Sequence, residues 1–345
     1  MTKTGADPLL SVEDLHVEFR TGRRVVHAVN GVTMDVRRGE TVAVLGESGS
    51  GKSITFEAVL GTLDSPPGQV TGGRAIFEGR NLFELPAQRR RAICGKEIGM
   101  VFQDPLSALN PVYTVGWQMS EMYQIHAGLG RQEALRRSKE MLAVVGIPDV
   151  EKRIDNYPHE FSGGMRQRLV IAMALAVDPK LVIADEPTTA LDVTVEAQIL
   201  ALLRDLQRQF GMGIVLITHS MAVAAEVADR ICVMYAGRVV ERADVRALFE
   251  QPAHPYTSGL LHSLPGIAAA RSDRLTPIPG QPPDLARIPP GCPFHPRCPR
   301  ARDRCKVELP ELRDLNGGTR SAACHFAEEV LADGISFVPA EGAPT

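Results

Sequence analysis

Short, uniformly apolar runs ended by glycine, proline or polar clusters alternate along this chain with longer segments whose apolar positions recur every three or four residues. The first pattern predicts strands and the second helices. Leu15, Val17 and Phe19 alternate within residues 10–19 as on a half-buried strand, and Val25–Val36 reads as one or two more strands after the turn at 22–24. Thr41–Leu45 reads as a buried strand and Ile98–Phe102 as a compact apolar one, while Leu181–Ala184 and Gly213–Ile217 are fully apolar runs of the kind found in the middle of a parallel sheet. Gly72–Phe77 adds a strand, and Ile231–Tyr235 and Arg238–Glu241 close around Ala236-Gly237. Helical spacing appears over Ile54–Leu60, over Leu169–Val177 and over 194–210 with Val195, Ile199, Leu202, Leu203, Leu206 and Phe210. From Leu106 to about Glu160 the texture is helical, with Leu135, Met141, Leu142 and Val145 on one face of 131–146. Past about residue 252, Pro277, Pro279, Pro282, Pro283, Pro289 and Pro290 leave little room for helices or central strands.

These patterns predict an α/β core over residues 1–255. It opens with an antiparallel β subdomain and carries a helical insertion over about 106–160. A small, irregular, proline-rich module over 256–345 follows, its last dozen residues frayed.

The chemistry is concentrated at Gly46-Glu47-Ser48-Gly49-Ser50-Gly51-Lys52-Ser53, between the strand at 41–45 and the helix that follows. Strand, G-x-x-x-x-G-K-S loop and helix together define a phosphate-binding P-loop. Backbone N–H groups of Gly46, Ser48, Gly49, Ser50 and Gly51 can close around phosphate oxygens, and the helix adds its positive end. Lys52 is expected on the β- and γ-phosphates and the Ser53 hydroxyl on Mg²⁺. The expected ligand is a nucleoside triphosphate.

Three strand ends carry what hydrolysis requires. Asp185 ends an apolar strand and is expected to hold the metal, with Glu186 beside it as general base. Gln103 can offer its amide oxygen to Mg²⁺ or to the attacking water, and His219 can hydrogen-bond the γ-phosphate. All three strand ends are expected on one sheet edge. Ser162-Gly163-Gly164 opens another helix as a second phosphate cradle, which suggests a nucleotide held jointly with another chain.

Of 345 residues, 44% are apolar and 23% charged, with a net charge of −3 and 5% aromatics. That balance supplies neither a basic field nor a stacking platform for nucleic acid. No apolar run approaches the ~18 residues of a membrane helix, and residues 1–8 lack the apolar stretch of a signal peptide. The expected location is the cytoplasm, with any membrane role mediated by a partner.

The P-loop, Gln103, Ser162-Gly163-Gly164, Leu181–Glu186, Ala190-Leu191-Asp192 and His219 occur in the order of an ABC-type ATPase domain, which residues 10–250 resemble. The resemblance implies that Ser162 and Gly164 contact the γ-phosphate of a partner's ATP and that Asp192 communicates across the dimer. Phe19 stands where the family often stacks an aromatic on adenine. Met165 and Ser220 occupy positions where many members have Gln and Asp.

Four of the six cysteines cluster as Cys292-x5-Cys298-x6-Cys305-x18-Cys324, while Cys94 and Cys232 read as small buried hydrophobes. The spacing is not that of paired C-x-x-C knuckles. Four thiolates suit either zinc or an iron–sulfur cluster, and His295 or His325 could replace one. With His254-Pro255-Tyr256-Thr257 ahead of it, this tail resembles the C-terminal region of oligopeptide and dipeptide ABC importer ATPases. Some of these carry a [4Fe–4S] cluster there, which favours the cluster over zinc. The resemblance implies ATP and Mg²⁺ as ligands and a heterodimer with a second ABC ATPase. It also implies two transmembrane permease subunits at the cytoplasmic membrane face and an extracytoplasmic substrate-binding protein reached through them. Nickel or other small-solute import is the alternative within transport. A soluble ABC ATPase acting on nucleic acid or ribosomes is the alternative outside it, and the acidic balance disfavours it.

Overall fold

The computed structural model describes residues 7–189, 191–264, 277–315, 317 and 319–333. Ala190 and the expected frayed tail lie outside them. Strands run in chain order as β1 (Leu10–Thr21), β2 (Arg24–Val36), β3 (Thr41–Leu45), β4 (Gly68–Phe77), β5 (Arg80–Asn81), β6 (Ile98–Val101), β7 (Leu181–Asp185) and β8 (Gly213–Thr218). Then come β9 (Arg230–Tyr235), β10 (Arg238–Asp244), β11 (Arg313–Leu315) and β12 (Arg320–Ala322). The helices are α1 (Lys52–Leu60), α2 (Ala87–Lys96), α3 (Pro105–Ala108), α4 (Val115–Ala127), α5 (Arg131–Val144), α6 (Val150–Arg153) and α7 (Gly163–Leu175). They continue with α8 (Val193–Phe210), α9 (Met221–Val227), α10 (Val245–Glu250), α11 (Pro255–His262), α12 (Asp303–Val307) and α13 (Ala327–Asp333). The chain forms two compact units.

The first unit comprises Met1–Leu9, Val36–Thr41 and Glu84–Ile217. In it β6, β7 and β8 pair in parallel, Ile98 opposite Leu181 and Leu181 opposite Gly213. Every residue of β7 is buried, so its side chains serve the core on both faces. α7 starts at Ser162, whose hydroxyl accepts the Met165 N–H, and α8 starts at Asp192, whose carboxylate accepts the Val195 N–H. The insertion differs from its sequence reading at one position. Leu135 is exposed, and α5 buries Ala134, Ser138, Met141 and Leu142 instead. At about 100° per residue this set spans an arc of roughly 100°, and Leu135 lies just past its edge, about 20° beyond Leu142.

The second unit comprises Leu10–Asp35, Val42–Phe83 and Thr218–Thr345. It holds the expected antiparallel sheet, ordered β2-β1-β4-β5. It also holds β3 parallel to β9, followed by antiparallel β10 and β12, with β11 outermost. The C-terminal segment is therefore less irregular than its prolines predict. β12 continues the sheet from β10, Glu241 opposite Ala322. α11 begins at Pro255, where proline is tolerated because the first helical N–H needs no partner. Phe294 is buried in one cluster with Leu45, Val233, Tyr235 and Tyr256, and Cys292 and Cys298 pack against it. Residues past 290 thus share a core with the strand that feeds the P-loop. Cys232 is buried as expected, whereas Cys94 is only half-buried.

Candidate nucleotide site

In the second unit, β3 delivers the chain into the P-loop and α1 leaves it. The loop is tightly fitted to its surroundings. A Cβ at Gly46 would lie 2.3 Å from the Met234 carbonyl oxygen, and one at Gly51 would lie 2.4 Å from that of Ala28. Both residues also have positive φ, so glycine is required twice over. The Gly237 N–H donates to the Ser50 carbonyl at 3.0 Å, tying the loop to the β9–β10 turn. Lys52 is 6% exposed, and its ammonium donates to the carbonyls of Gly46 at 2.8 Å and Glu47 at 3.0 Å. It thereby arches over the loop. Ser50 Oγ is buried with no hydrogen-bond partner among the described residues, and none of these comes within 4 Å of a Cβ placed at Gly49. An orphaned hydroxyl, a cation folded over the loop and an open glycine suit an anionic ligand. Ser48 is exposed, Ser53 half-buried at the start of α1, and Phe19 half-buried on β1 opposite Gly68.

In the first unit, parallel pairing puts the C-terminal ends of β6 and β7 side by side, so Gln103, Asp185 and Glu186 share an edge. Gln103 Nε2 donates to Glu186 Oε2 at 3.3 Å, and Thr189 Oγ1 donates to the same oxygen at 2.8 Å. Asp185 is buried, while Glu186 is half-buried at φ 43° and its N–H donates to the Ile217 carbonyl at 2.9 Å. A non-glycine residue held in the left-handed region at a strand end is characteristic of functional sites. His219 directly follows β8 and is exposed.

Ser162 and Gly163 are exposed at the start of α7. A Cβ at Gly164 would come within 2.6 Å of Val195 Cγ1, so close packing on α8 already demands glycine there. At Gly163 the nearest atom is a Leu191 methyl at 3.8 Å, and this glycine has no such packing reason. Asp192 is exposed, and its carboxylate is used as the cap of α8.

Cys292, Cys298, Cys305 and Cys324 line one small cavity in the second unit, together with Phe294, Phe326 and His254. Burial pushes the thiols of Cys298 and Cys324 up to about 12 and that of Cys292 up to about 11. His295 Nδ1 and His325 Nε2 lie 2.9 Å from the carbonyl oxygens of Cys292 and Glu308 respectively, so both rings are already engaged. Among the described residues, no group of three or more His, Cys, Asp or Glu side chains stands close enough to hold a single metal ion.

Glu47 within the P-loop, and Arg297 and Tyr256 beside it, were given no role in the sequence reading. The Glu47 carboxylate accepts two hydrogen bonds from Arg297, at 2.6 and 2.9 Å, and the Glu47 N–H donates to Tyr256 Oη at 2.9 Å. The signal available was the acid at position 47 itself, since a carboxylate in a phosphate-binding loop calls for a nearby cation.

A P-loop behind a β3–β9 parallel pair, an antiparallel sheet and a carboxylate-bearing strand edge define a nucleotide-binding protein of the ABC type. The ABC transporter family model matches residues 29–189, and that of the oligopeptide/dipeptide transporter C-terminal region matches residues 240–305. The oligopeptide transport ATP-binding protein OppD of Escherichia coli (strain K12) is 48% identical over 326 residues, covering 94% of this chain and 96% of that one. OppD of Bacillus subtilis (strain 168) is 51% identical over 286 residues, 83% of this chain and 80% of that one. Among solved structures, the ATP-binding cassette MJ0796 with ADP and Pi, described as a dimeric post-hydrolysis state, aligns at a TM-score of 0.62 and 26% identity. The alignment covers 69% of this chain and 99% of that one. cbiO1 from Clostridium perfringens aligns at 0.63 and 29% identity over 77% and 100%. The chain belongs to the ABC transporter ATP-binding family, in its oligopeptide/dipeptide branch.

Proposed function

We propose that this chain is the ATP-hydrolysing subunit that energises peptide import through separate membrane permease subunits. The observation that carries this reading is the joint match of both family models with near-full-length similarity to peptide-transport ATP-binding proteins. No helix among the described residues is long and apolar enough to cross a membrane. The attachment assigned here, peripheral on the cytoplasmic face through the permease, rests on the similarity to peptide-transport ATP-binding proteins.

The roles follow from the chemistry at each position. The backbone of Gly46, Ser48, Gly49, Ser50 and Gly51 and the Lys52 ammonium bind the triphosphate, and Phe19 packs on the base. Ser53, Gln103 and Asp185 are assigned to magnesium, which would neutralise charge on the phosphates. Glu186 takes the proton of the attacking water. Gln103 and Thr189, both bonded to one carboxylate oxygen, hold it in orientation. His219 donates to the γ-phosphate. Ser162, Gly163, Gly164 and Asp192 are assigned to a second ATPase subunit's nucleotide, in a heterodimer. MJ0796, whose structure is described as dimeric, supports that arrangement by similarity. A substrate-binding protein is assigned outside the membrane.

The four-cysteine cavity is assigned to a [4Fe–4S] cluster. Four cysteine side chains that line one cavity support it.

The test is a tagged pull-down from gently solubilised membranes, with iron and visible absorbance read on the same sample. Two multi-span permeases and a second ATPase, with a brown chromophore, are expected. Recovery of only nucleic-acid or ribosomal partners would overturn the transport reading, and a colourless, iron-free chain would overturn the cluster.

A further inference from the structure

Nothing in the phosphate chemistry accounts for Arg297. It lies in the short turn His295–Arg297, just ahead of Cys298, yet its side chain is only 6% exposed. Its guanidinium holds the Glu47 carboxylate with two parallel bonds, Nη1 to Oε2 at 2.6 Å and Nη2 to Oε1 at 2.9 Å. A third nitrogen, Nε, donates to the Pro279 carbonyl at 2.8 Å, and Nη1 lies 3.4 Å from Tyr235 Oη. Tyr256 Oη accepts the Glu47 N–H, so both the main chain and the side chain of this loop residue are held by partners outside the loop. The Glu47 side chain is 27% exposed, and the fork of a guanidinium fixes a carboxylate in both direction and distance.

Glu47 poses a problem for a triphosphate site. It is the second residue of the loop, and its negative charge stands beside a ligand that carries several more. Like charges at short range oppose binding strongly where water is excluded. We propose that Arg297 is a positioning residue for the nucleotide site: it neutralises Glu47 and draws the carboxylate back, so that the P-loop presents only donors to the phosphates. The proposal rests on the reading of this loop as an ATP site. It makes the C-terminal segment a working part of that site.

The test is direct titration of the purified full chain with MgATP at two salt concentrations, for the unaltered chain, R297M and R297M/E47Q. The melting temperature of each is measured alongside. R297M leaves the Glu47 carboxylate unbalanced and is expected to weaken MgATP about tenfold, with a smaller loss at high salt. In R297M/E47Q the repelling charge is gone, and affinity is expected to return to within about threefold of the unaltered chain. A merely structural Arg297, anchoring its turn to Pro279 and Tyr235, predicts a double variant as weak as R297M, and that result overturns the proposal. Unchanged affinity in R297M overturns it too. If R297M does not fold, R297Q and R297Q/E47Q carry the same comparison, because glutamine removes the charge while keeping a polar side chain that can still hydrogen-bond its surroundings. Failure of the unaltered chain to bind MgATP would instead overturn the ATP reading itself.

Discussion

The phosphate loop and the edge formed by β6 and β7 solve opposite problems. Around the loop almost everything is fixed by protein: Gly46 and Gly51 press against carbonyls, Lys52 is bonded to loop carbonyls, and Glu47 is gripped by Arg297. At the strand edge the groups proposed for hydrolysis, Asp185 apart, are more open. Gln103 is exposed, Glu186 half-buried, and the helix starts at Ser162 and Asp192 face solvent. Binding a polyanion rewards preorganisation, because donors already in place lose nothing on meeting the ligand. The proposed wait for a second subunit would reward incompleteness, since exposed groups can be completed by a partner.

That contrast can be broken most strongly at Glu186. Glu186→Gln keeps the shape and removes the base, so ATP turnover is expected to fall about 10²–10⁴-fold while MgATP affinity stays within a few-fold. Steady-state hydrolysis near normal would remove Glu186 from its role. Next comes Gly46→Ala. Its new Cβ would meet the Met234 carbonyl at 2.3 Å in a positive-φ residue, and we expect a stability loss of about 3 kcal/mol or more together with lost nucleotide binding. A denaturation midpoint equal to that of the unaltered chain would show that the loop is less tightly fitted than its contacts say.

The two signature glycines sharpen the same contrast within one motif. Gly164→Ala pushes a methyl group into Val195 and should cost about 1–3 kcal/mol, whereas Gly163→Ala has room and should melt within about 0.5 kcal/mol of the unaltered chain. Equal destabilisation by both would contradict the packing account of Gly164.

The smallest effect concerns pH. His254 is fully buried, its Nδ1 accepts the Tyr256 N–H, and burial lowers its pKa to about 3. The unfolded chain takes up that proton near pH 6.5. The contribution of His254 is therefore complete above that value and is lost as pH falls toward 3. Glu241 runs the other way. Burial raises it to about 7 against two N–H donors from Ala253 and His254, so its contribution is present below about pH 4.5 and is lost as pH rises to about 7. His254→Asn should therefore show a flatter acid limb, and the advantage of the unaltered chain should shrink between pH 6.5 and 4.5. A constant difference in melting temperature across that range would refute the buried-neutral histidine.

What was legible in the sequence follows the distance over which each feature is built. The P-loop, Asp185-Glu186 and Gln103 could be read because each sits at the end of an apolar strand, and strand, turn and chemistry are contiguous. The apolar pattern places Met141, Leu142 and Val145 correctly in the core, and only Leu135, at the margin of the buried arc of α5, stays exposed while Ala134 and Ser138 fill the face beside it. The C-terminal prolines hid α11, although His254-Pro255 is itself a helix-start signal. The grip of Arg297 on Glu47 joins residues 250 positions apart, and no local pattern announces it.

The most direct test of the central claim is uptake of a labelled oligopeptide by cells whose own copy of this chain is replaced by the unaltered chain or by Glu186→Gln, with both expressed equally. Hydrolysis at this strand edge predicts uptake with the first and none with the second. Equal peptide uptake with both would contradict the account.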